Sequence, residues 1–513
     1  MDNTIKKSRT VYAAQNFIWS TIGNLSSSLL GFISRTVFIY TLGTVYLGIN
    51  GLFTNLIGML SLAELGIGVA ISFSLYKPLA ENDIKKIQAI INFYRNAYRI
   101  IACVIAIIGI SLVPFLNHII KGAEGIQDLQ LIYCIFLFNT VTSYLITYKT
   151  TLLSADQRNY LITNMNTVIN IITTIIQIIV LLVFKNFIVY LIVGAVIQLI
   201  SKLYLNYFTD KQYPYIKGKN KEKLSKNENN IIYTKIKALI MHKIGEVSIY
   251  QTDNIITSIF INVNTVGLVS NFTMIINIIN VFIISFFNSA TAGLGNIIAT
   301  ESNEKRLEVA QIYDFLGFIF FGCSTICLYF LLTPFITIWI GPDKLVDKIT
   351  ISLLCINYYF TGMRVPLGNI KNAAGVYEED KWLPIIQSII NIVISIIGAK
   401  HLGLKGIYIG TFISSMIPNI TRPYIVYKNV LFVSCKSYFK QYLLRIIGII
   451  GCIGGLELVF NILNFNNKLI EFITMMLISS IIPIALIIII FRNSYEFKYV
   501  KNIIISILKK IKK

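Results

Sequence analysis

The residues best able to do chemistry in this sequence are charged side chains set inside apolar runs. An ionised group at the centre of a bilayer costs roughly 2.5–3.5 kcal/mol on insertion scales, so a charge retained there faces a polar cavity or a partner. Arg35 lies within "LLGFISRTVFIY" and Arg364 within "NYYFTGMRVPLG". A guanidinium so placed can hold two phosphate or carboxylate oxygens through parallel hydrogen bonds. For Arg35 the alternative is a long side chain that reaches the outer membrane interface. Lys243 and Glu246, three residues apart in "MHKIGEVSIYQTDN", form a polar stripe at helical spacing, and Asp253 follows seven residues on. Lys243 is expected to meet an anion, and Glu246 and Asp253 are candidates for a gate or a coupling group. Glu64, in "LAELGIGVA", is a third such candidate, flanked by glycines that allow close helix approach. Lys149 and Lys371 each precede a polar loop, and two readings fit them: interfacial anchors or substrate-facing cations. Asp314 and Glu457 are further acids inside apolar runs.

The elements that must position these charges are membrane helices. The chain has 513 residues, of which 55% are hydrophobic and only 13% charged, and its mean hydropathy is +0.70. Soluble domains carry about 25% charged residues, so a soluble enzyme is excluded as the main reading. Apolar runs of about 20 residues can cross a hydrocarbon core as helices. About fourteen are expected: Tyr12–Tyr40, Tyr46–Tyr76, Ile90–Asn117, Leu129–Leu153, Leu161–Phe184 and Phe187–Phe208, then Ile236–Phe260, Thr265–Ile297, Glu308–Leu332, Asp347–Ala373, Leu383–Lys400 and Leu404–Tyr427, and last Gln441–Leu463 and Lys468–Phe491. A β-barrel is excluded, because short alternating strands are missing. The fold class is therefore all-α and integral to the membrane.

The domain organisation follows. Residues 1–208 form an N-terminal lobe of six helices, 209–234 a lysine- and asparagine-rich cytoplasmic linker, and 235–430 a second six-helix lobe. Two helices over 431–491 and a basic tail over 492–513 complete it. Weak internal repetition supports two lobes. A shift of 219 residues lays Gly48 on Gly267 and Phe53 on Phe272, and a shift of 222 lays Lys149 on Lys371. Lobes of six spans share an orientation, so a pseudo-twofold axis along the membrane normal is expected, with alternating access by rocking of the halves. Lysine and arginine number 45 against 24 acids. Their concentration in alternate loops places both termini in the cytoplasm. The same excess suits an anionic substrate or anionic lipid, whereas nucleic acid is not expected, since no soluble basic face interleaved with aromatics is present. The seven cysteines are read as small apolar residues. Three scattered histidines (His118, His242, His401) give no metal site, no phosphate-binding glycine loop is present, and no cofactor or catalytic residue is expected.

Several stretches together resemble the polysaccharide flippases of the multidrug/oligosaccharidyl-lipid/polysaccharide exporter superfamily. They are "RTVFIYTLGTVYLGINGLF" from Arg35, "AELGIGVAI" from Ala63, "HKIGEVSIYQTDNIITSIF" from His242, "NYYFTGMRVPLGNIKNAAGVYEEDKW" from Asn357 and "GLKGIYIGTFISS" from Gly403. The likeness spans nearly the whole chain, and the last three stretches look like the branch found in Gram-positive capsule and surface-polysaccharide clusters. It implies fourteen helices around a cationic central cavity and, as substrate, an oligosaccharide repeat unit on undecaprenyl pyrophosphate turned from the inner to the outer leaflet. It further implies a monomer in the bacterial cytoplasmic membrane, working beside a polysaccharide polymerase and glycosyltransferases of the same pathway. Arg35, Lys243 and Arg364 match positions where such proteins place substrate-facing cations. In the related lipid II flippases the matching stretch of the first helix has Arg followed by Asp, where this chain reads Ser34–Arg35. Two rivals are a multidrug exporter of the same fold, which would be expected to have an acidic cavity, and a membrane polymerase or glycosyltransferase, which would be expected to carry a large external loop.

Overall fold

A computed structural model of the chain describes residues 9–64, 67–122, 126, 128–217, 222–226, 228, 230, 232–233, 244–245, 251–463 and 467–511. Among the described residues the ordered elements are helical throughout. Ten helices are long and apolar enough to cross a membrane. The chain is a multi-pass membrane protein: residues such as Ile107, Val183, Leu458 and Ile490 present large exposed apolar surface that only lipid would cover.

The difference from about fourteen spans has identifiable causes. Helix α1 (Arg9–Leu60) is 52 residues long, about 78 Å at 1.5 Å per residue and more than twice a hydrocarbon core. It is two helices joined at Gly43, whose φ of 84° and ψ of 179° interrupt the helix and suit a residue without Cβ. Its second half passes through a 3₁₀ turn (Ser61–Glu64) toward α2 (Ile67–Glu81). The expected span ending at Ala373 is broken at Met363 into α12 (Lys348–Gly362) and α13 (Arg364–Ala373). Helix α15 (Leu404–Asn429) carries Pro418 and Pro423 and falls short on apolarity. The expected span at 236–260 lies largely outside the described residues.

Contacts divide the chain into two compact units, Met1–Gly267 and Leu268–Lys513. The first contains α1, α2, α3 (Ile84–Leu112), α4 (Leu129–Ala155), α5 (Asn159–Phe184), α6 (Phe187–Gln212) and α7 (residues 251–260). Helix α5 packs on α1, and α4 lies between α3 and α6. The Asp83 carboxylate caps α3 by accepting from the amide of Lys86, and the Asn186 side chain caps α6. Phe53, Tyr94, Tyr98 and Tyr133 fill the core with no exposed surface, and the Phe53 and Tyr133 rings meet edge to face at 5.3 Å. The described part of the expected linker lies against α3. Lys86 pairs with Glu228 at 2.7 Å, Gln88 donates to the carbonyl of Tyr215, and Phe93 meets the ring of Tyr233.

Helix α8 (Val263–Ser289) begins in the first unit, where its N-terminal turn crosses α1. A Cβ on Gly48 would collide with the carbonyl of Val263, and a Cβ on Gly267 with that of Thr44. Two backbones therefore touch at glycines that the 219-residue repeat lays on one another. Phe53 and Phe272, matched by the same shift, are both wholly buried.

The second unit holds the rest of α8, α9 (Thr291–Thr300), α10 (Asn303–Gly317), α11 (Cys323–Ile340), α12, α13, α14 (Leu383–Leu402), α15, α16 (Lys436–Ile462), α17 (Lys468–Phe491) and α18 (Tyr495–Ile511). A π-turn at Phe318–Gly322 joins α10 to α11. Helices α14 and α15 pack most closely, around Gly398 and Gly406, and are cross-bonded where Asn391 donates to Ser414 and Ser395 to the carbonyl of Ile407. The amphipathic tail helix α18 meets α10, where Tyr495 donates to the Glu308 carboxylate.

Candidate functional site

The first unit contains a polar cavity of about 320 Å³. Helix α1 supplies Ser27, Gly31, Ser34, Arg35 and Asn50; α5 supplies Asn170, Thr173, Thr174 and Gln177; α6 supplies Tyr190 and Gln198. The three polar strips meet because α5 packs on both α1 and α6. The lining is one guanidinium amid neutral hydroxyls and amides. Such a set binds a hydroxylated ligand that bears negative charge: the guanidinium takes the oxyanion, while amides and hydroxyls exchange hydrogen bonds with alcohols. The walls are braced by neighbouring contacts. Gln177 donates to the carbonyl of Tyr190 at 3.1 Å, and the Phe38 ring meets those of Phe187 and Tyr190 edge to face.

Arg35 is thus placed on a polar cavity. The other expected site residues are distributed as follows. Lys149, at the end of α4, is buried and pairs with Asp210 of α6 at 2.6 Å. Lys371, at the end of α13, is buried and pairs with Asp380. Each lies near an aromatic ring, Tyr148 and Tyr377 respectively. Arg364 begins α13 and donates to the Thr361 hydroxyl at 2.9 Å, while Arg422 of α15 donates to the Arg364 carbonyl across the helix break. Glu64 ends the 3₁₀ turn after α1 and accepts from the Tyr98 hydroxyl; a Cβ on Gly68 would meet Glu64 Oε1, Tyr98 and Tyr94 together. Asp253 sits in α7, where its carbonyl accepts from Thr257, and it does not line the Arg35 cavity. Lys243 and Glu246 lie outside the described residues.

Two interior charges escaped the sequence reading. Lys202 of α6 projects onto α4, where its ammonium donates to the Asn139 carbonyl at 2.7 Å, Asn139 Oδ1 at 2.6 Å and the Thr142 hydroxyl at 3.2 Å. Arg445 of α16 pairs with Asp314 of α10, both about 95% buried, and the guanidinium lies over the rings of Phe315 and Phe318. Both cations stand within three turns of a helix end, so charge counting by loop assigns them to the cytoplasmic side. A signal was available for Lys202: it follows Gln198 by one turn, which marks a polar strip on an apolar helix. The second unit also has a groove of about 470 Å³ between α10, α11, α16 and α17, apolar apart from Gln441, Arg445, Ser494 and Glu496 at its lining.

Outside the membrane, Glu228 is held well below the usual carboxylate range, at about 2, by the hydrogen bond from the Lys86 ammonium and by the Ser225 amide and hydroxyl.

Among the described residues the chain is thus all-helical, in two units, with a polar cavity among the membrane helices of the first. No family profile matches the sequence, and no curated protein matches it. Solved structures do. The lipid II flippase MurJ in an inward closed conformation superposes with a TM-score of 0.62 at 16% identity, covering 93% of this chain and 99% of that one. An inward-facing multidrug resistance MATE family transporter of the MOP superfamily gives 0.61 at 14% identity over 80% of this chain and 98% of that one. A mutant of the Vibrio cholerae MATE transporter VcmN gives 0.56 at 13% identity over 82% and 99%. The chain has the fold of these transporters over nearly all of their length.

Proposed function

We propose that this protein is a flippase. It turns oligosaccharide repeat units on undecaprenyl pyrophosphate from the inner to the outer leaflet of a bacterial cytoplasmic membrane, for capsule, O-antigen or other surface-polysaccharide synthesis. The observation that carries the reading is the Arg35 cavity, whose lining joins a guanidinium to amides and hydroxyls beside a few apolar side chains. That lining suits a sugar chain next to an acidic group better than a cationic drug, for which an acidic chamber is expected. The fold shared with a lipid II flippase supports the same direction. In this reading the halves alternate in access with both termini in the cytoplasm, the polyprenyl tail stays in lipid, and Arg35 and Arg364 meet substrate oxyanions. Lys149 and Lys371, already paired with aspartates, would act by holding helix ends unless the pairs open. The protein acts as a carrier without covalent chemistry of its own, serving a polymerase and glycosyltransferases that make and use its cargo.

Reconstitution tests this. Vesicles holding the purified protein and a lipid-linked oligosaccharide should expose the glycan to an external sugar-oxidising probe. Arg35→Ala and Arg364→Ala should each abolish that exposure while protein level and melting temperature stay unchanged. Normal exposure with both variants would remove the anion-binding chamber from the mechanism. Efflux of cationic dyes by the wild type, with no glycan exposure, would favour a multidrug exporter.

A further inference from the structure

We propose that Lys202 is a second anion-binding cation of the Arg35 chamber, and that it sets the preference for substrates carrying more than one oxyanion; this rests on the flippase reading and adds a residue to it. Lys202 and Gln198 are one turn apart on α6, and Gln198 lines the chamber. Asn139 of α4 joins them: its Oδ1 accepts from Lys202 and its Nδ2 donates to Gln198 Oε1 at 2.8 Å. The two bonds fix the Asn139 amide in one orientation and link Lys202 through Asn139 to Gln198, the nearest residue of the chamber lining; Lys202 itself stands one turn behind that lining.

The chemistry of this contact is what separates Lys202 from a structural staple. An ammonium has three N–H groups, and three neutral oxygens receive them, namely the Asn139 carbonyl, Asn139 Oδ1 and the Thr142 hydroxyl. That arrangement supports the charged form. It does not cancel the charge: among the described residues of the first unit, Asp210 pairs with Lys149, Asp156 with Arg158, and Glu64 accepts from Tyr98, while no carboxylate pairs with Lys202. Neutral cross-helix bonds alone need no charge, and a glutamine could supply them. Retaining an uncancelled positive charge inside a membrane helix is unfavourable unless something negative arrives. A permanent carboxylate partner would stabilise it and also occupy it. The Thr142 bond, at 3.2 Å the longest of the three, is the one a ligand oxygen would replace.

The ligand chemistry is an oxyanion on a hydroxylated molecule. It has two sources in a lipid-linked glycan: the phosphoryl groups of the carrier and a carboxylate on an acidic sugar. The test is calorimetric titration of the purified full chain in detergent with inorganic pyrophosphate, with glucuronate, and with glucose as the neutral control. The variants are Lys202→Gln, Lys202→Arg, Asn139→Asp and Arg35→Gln. Asn139→Asp leaves the lysine in place and neutralises it internally, so it reports on the charge even where Lys202→Gln folds poorly. We expect the wild type to bind at least one anion, with about tenfold weaker affinity in Lys202→Gln and Asn139→Asp and a change within about threefold in Lys202→Arg. Loss confined to pyrophosphate assigns Lys202 to the carrier, and loss confined to glucuronate assigns it to the glycan. Wild-type affinity in both Lys202→Gln and Asn139→Asp, with binding lost in Arg35→Gln, would overturn the role of Lys202 and leave the chamber intact. Failure of the wild type to bind either anion would remove the chamber reading itself.

Discussion

Two interior cations, Lys202 of the first unit and Arg445 of the second, are held in opposite ways, although each unit also has a buried lysine–aspartate pair. In the second unit, Arg445 and Asp314 neutralise each other in a box of aromatic rings, each about 95% buried. In the first, Lys202 is held by an amide, a carbonyl and a hydroxyl, and the Arg35 chamber is lined by neutral polar groups. A closed ion pair ties two helices together and has nothing left to offer a ligand. A cation held by neutral oxygens keeps its charge available. Under the proposed function, cargo recognition falls chiefly to the first unit, and the locked pair gives rigidity around α10 and α16 in the second. The cavities beside these two cations differ as well: that of Arg35, next to Lys202, is polar and about 320 Å³, and that of Arg445 is nearly apolar and about 470 Å³.

The largest effect expected from this contrast is on stability. Arg445→Met leaves Asp314 buried without its partner and should destabilise the second unit by about 3–5 kcal/mol. The double variant Arg445→Met with Asp314→Leu removes both charges and should recover most of that loss. Thermal unfolding of the purified variants in detergent measures it. If the single and double variants melt alike, the pair is not the lock described.

A smaller effect separates packing from charge. Gly48→Ala drives a methyl group into the Val263 carbonyl, and Gly267→Ala drives one into that of Thr44. Each should destabilise by about 1–3 kcal/mol, because backbone cannot yield as a side-chain tip does. Gly51 is the control: a Cβ there meets Val266 Cγ1 at 3.7 Å and Asn254 Nδ2 at 4.0 Å, both ordinary contacts. Gly51→Ala should be neutral or stabilise by about 0.4–1 kcal/mol. The same melting curves distinguish the three, and equal shifts would mean that the α1–α8 crossing is looser than drawn.

Much of the fold is legible in the sequence, because a membrane helix announces itself through composition alone. The helices over 129–155, 159–184, 187–212 and 468–491 stand within a few residues of their expected bounds. Arg35 is legible for the same reason, as a charge where insertion is unfavourable. Interruptions are harder to see. Gly43 looks no different from other glycines until its φ of 84° is known, and nothing in "TGMRV" announces a break at Met363. Pairing is hardest, since the partners of Arg445 and Lys149 lie 131 and 61 residues away. Spacing arguments reach only one or two helical turns. Lys202 was hidden by a rule that is right on average: positive charge near a helix end belongs to the cytoplasm, and only its bonds to α4 show that it turns inward.

The smallest effect calibrates the ion-pair comparison against solvent. Lys86 and Glu228 make the same type of contact as Arg445 and Asp314, at 2.7 Å, but their side chains are 43% and 33% exposed. Water screens such a pair and competes for its hydrogen bonds, so Glu228→Gln should destabilise by only a few tenths of a kcal/mol. Because the Glu228 carboxyl is depressed to about 2, its contribution is fully present above the ordinary value of 4.5 and is lost as pH falls through about 2. Neutral and mildly acidic buffers should therefore give the same docking of Glu228 and Tyr233 on α3, read by amide hydrogen exchange at Ile232 and Tyr233. If Glu228→Gln were as damaging as Arg445→Met, burial could not be what distinguishes the locked pair of the second unit, and assigning rigidity to one unit and recognition to the other would lose its physical basis.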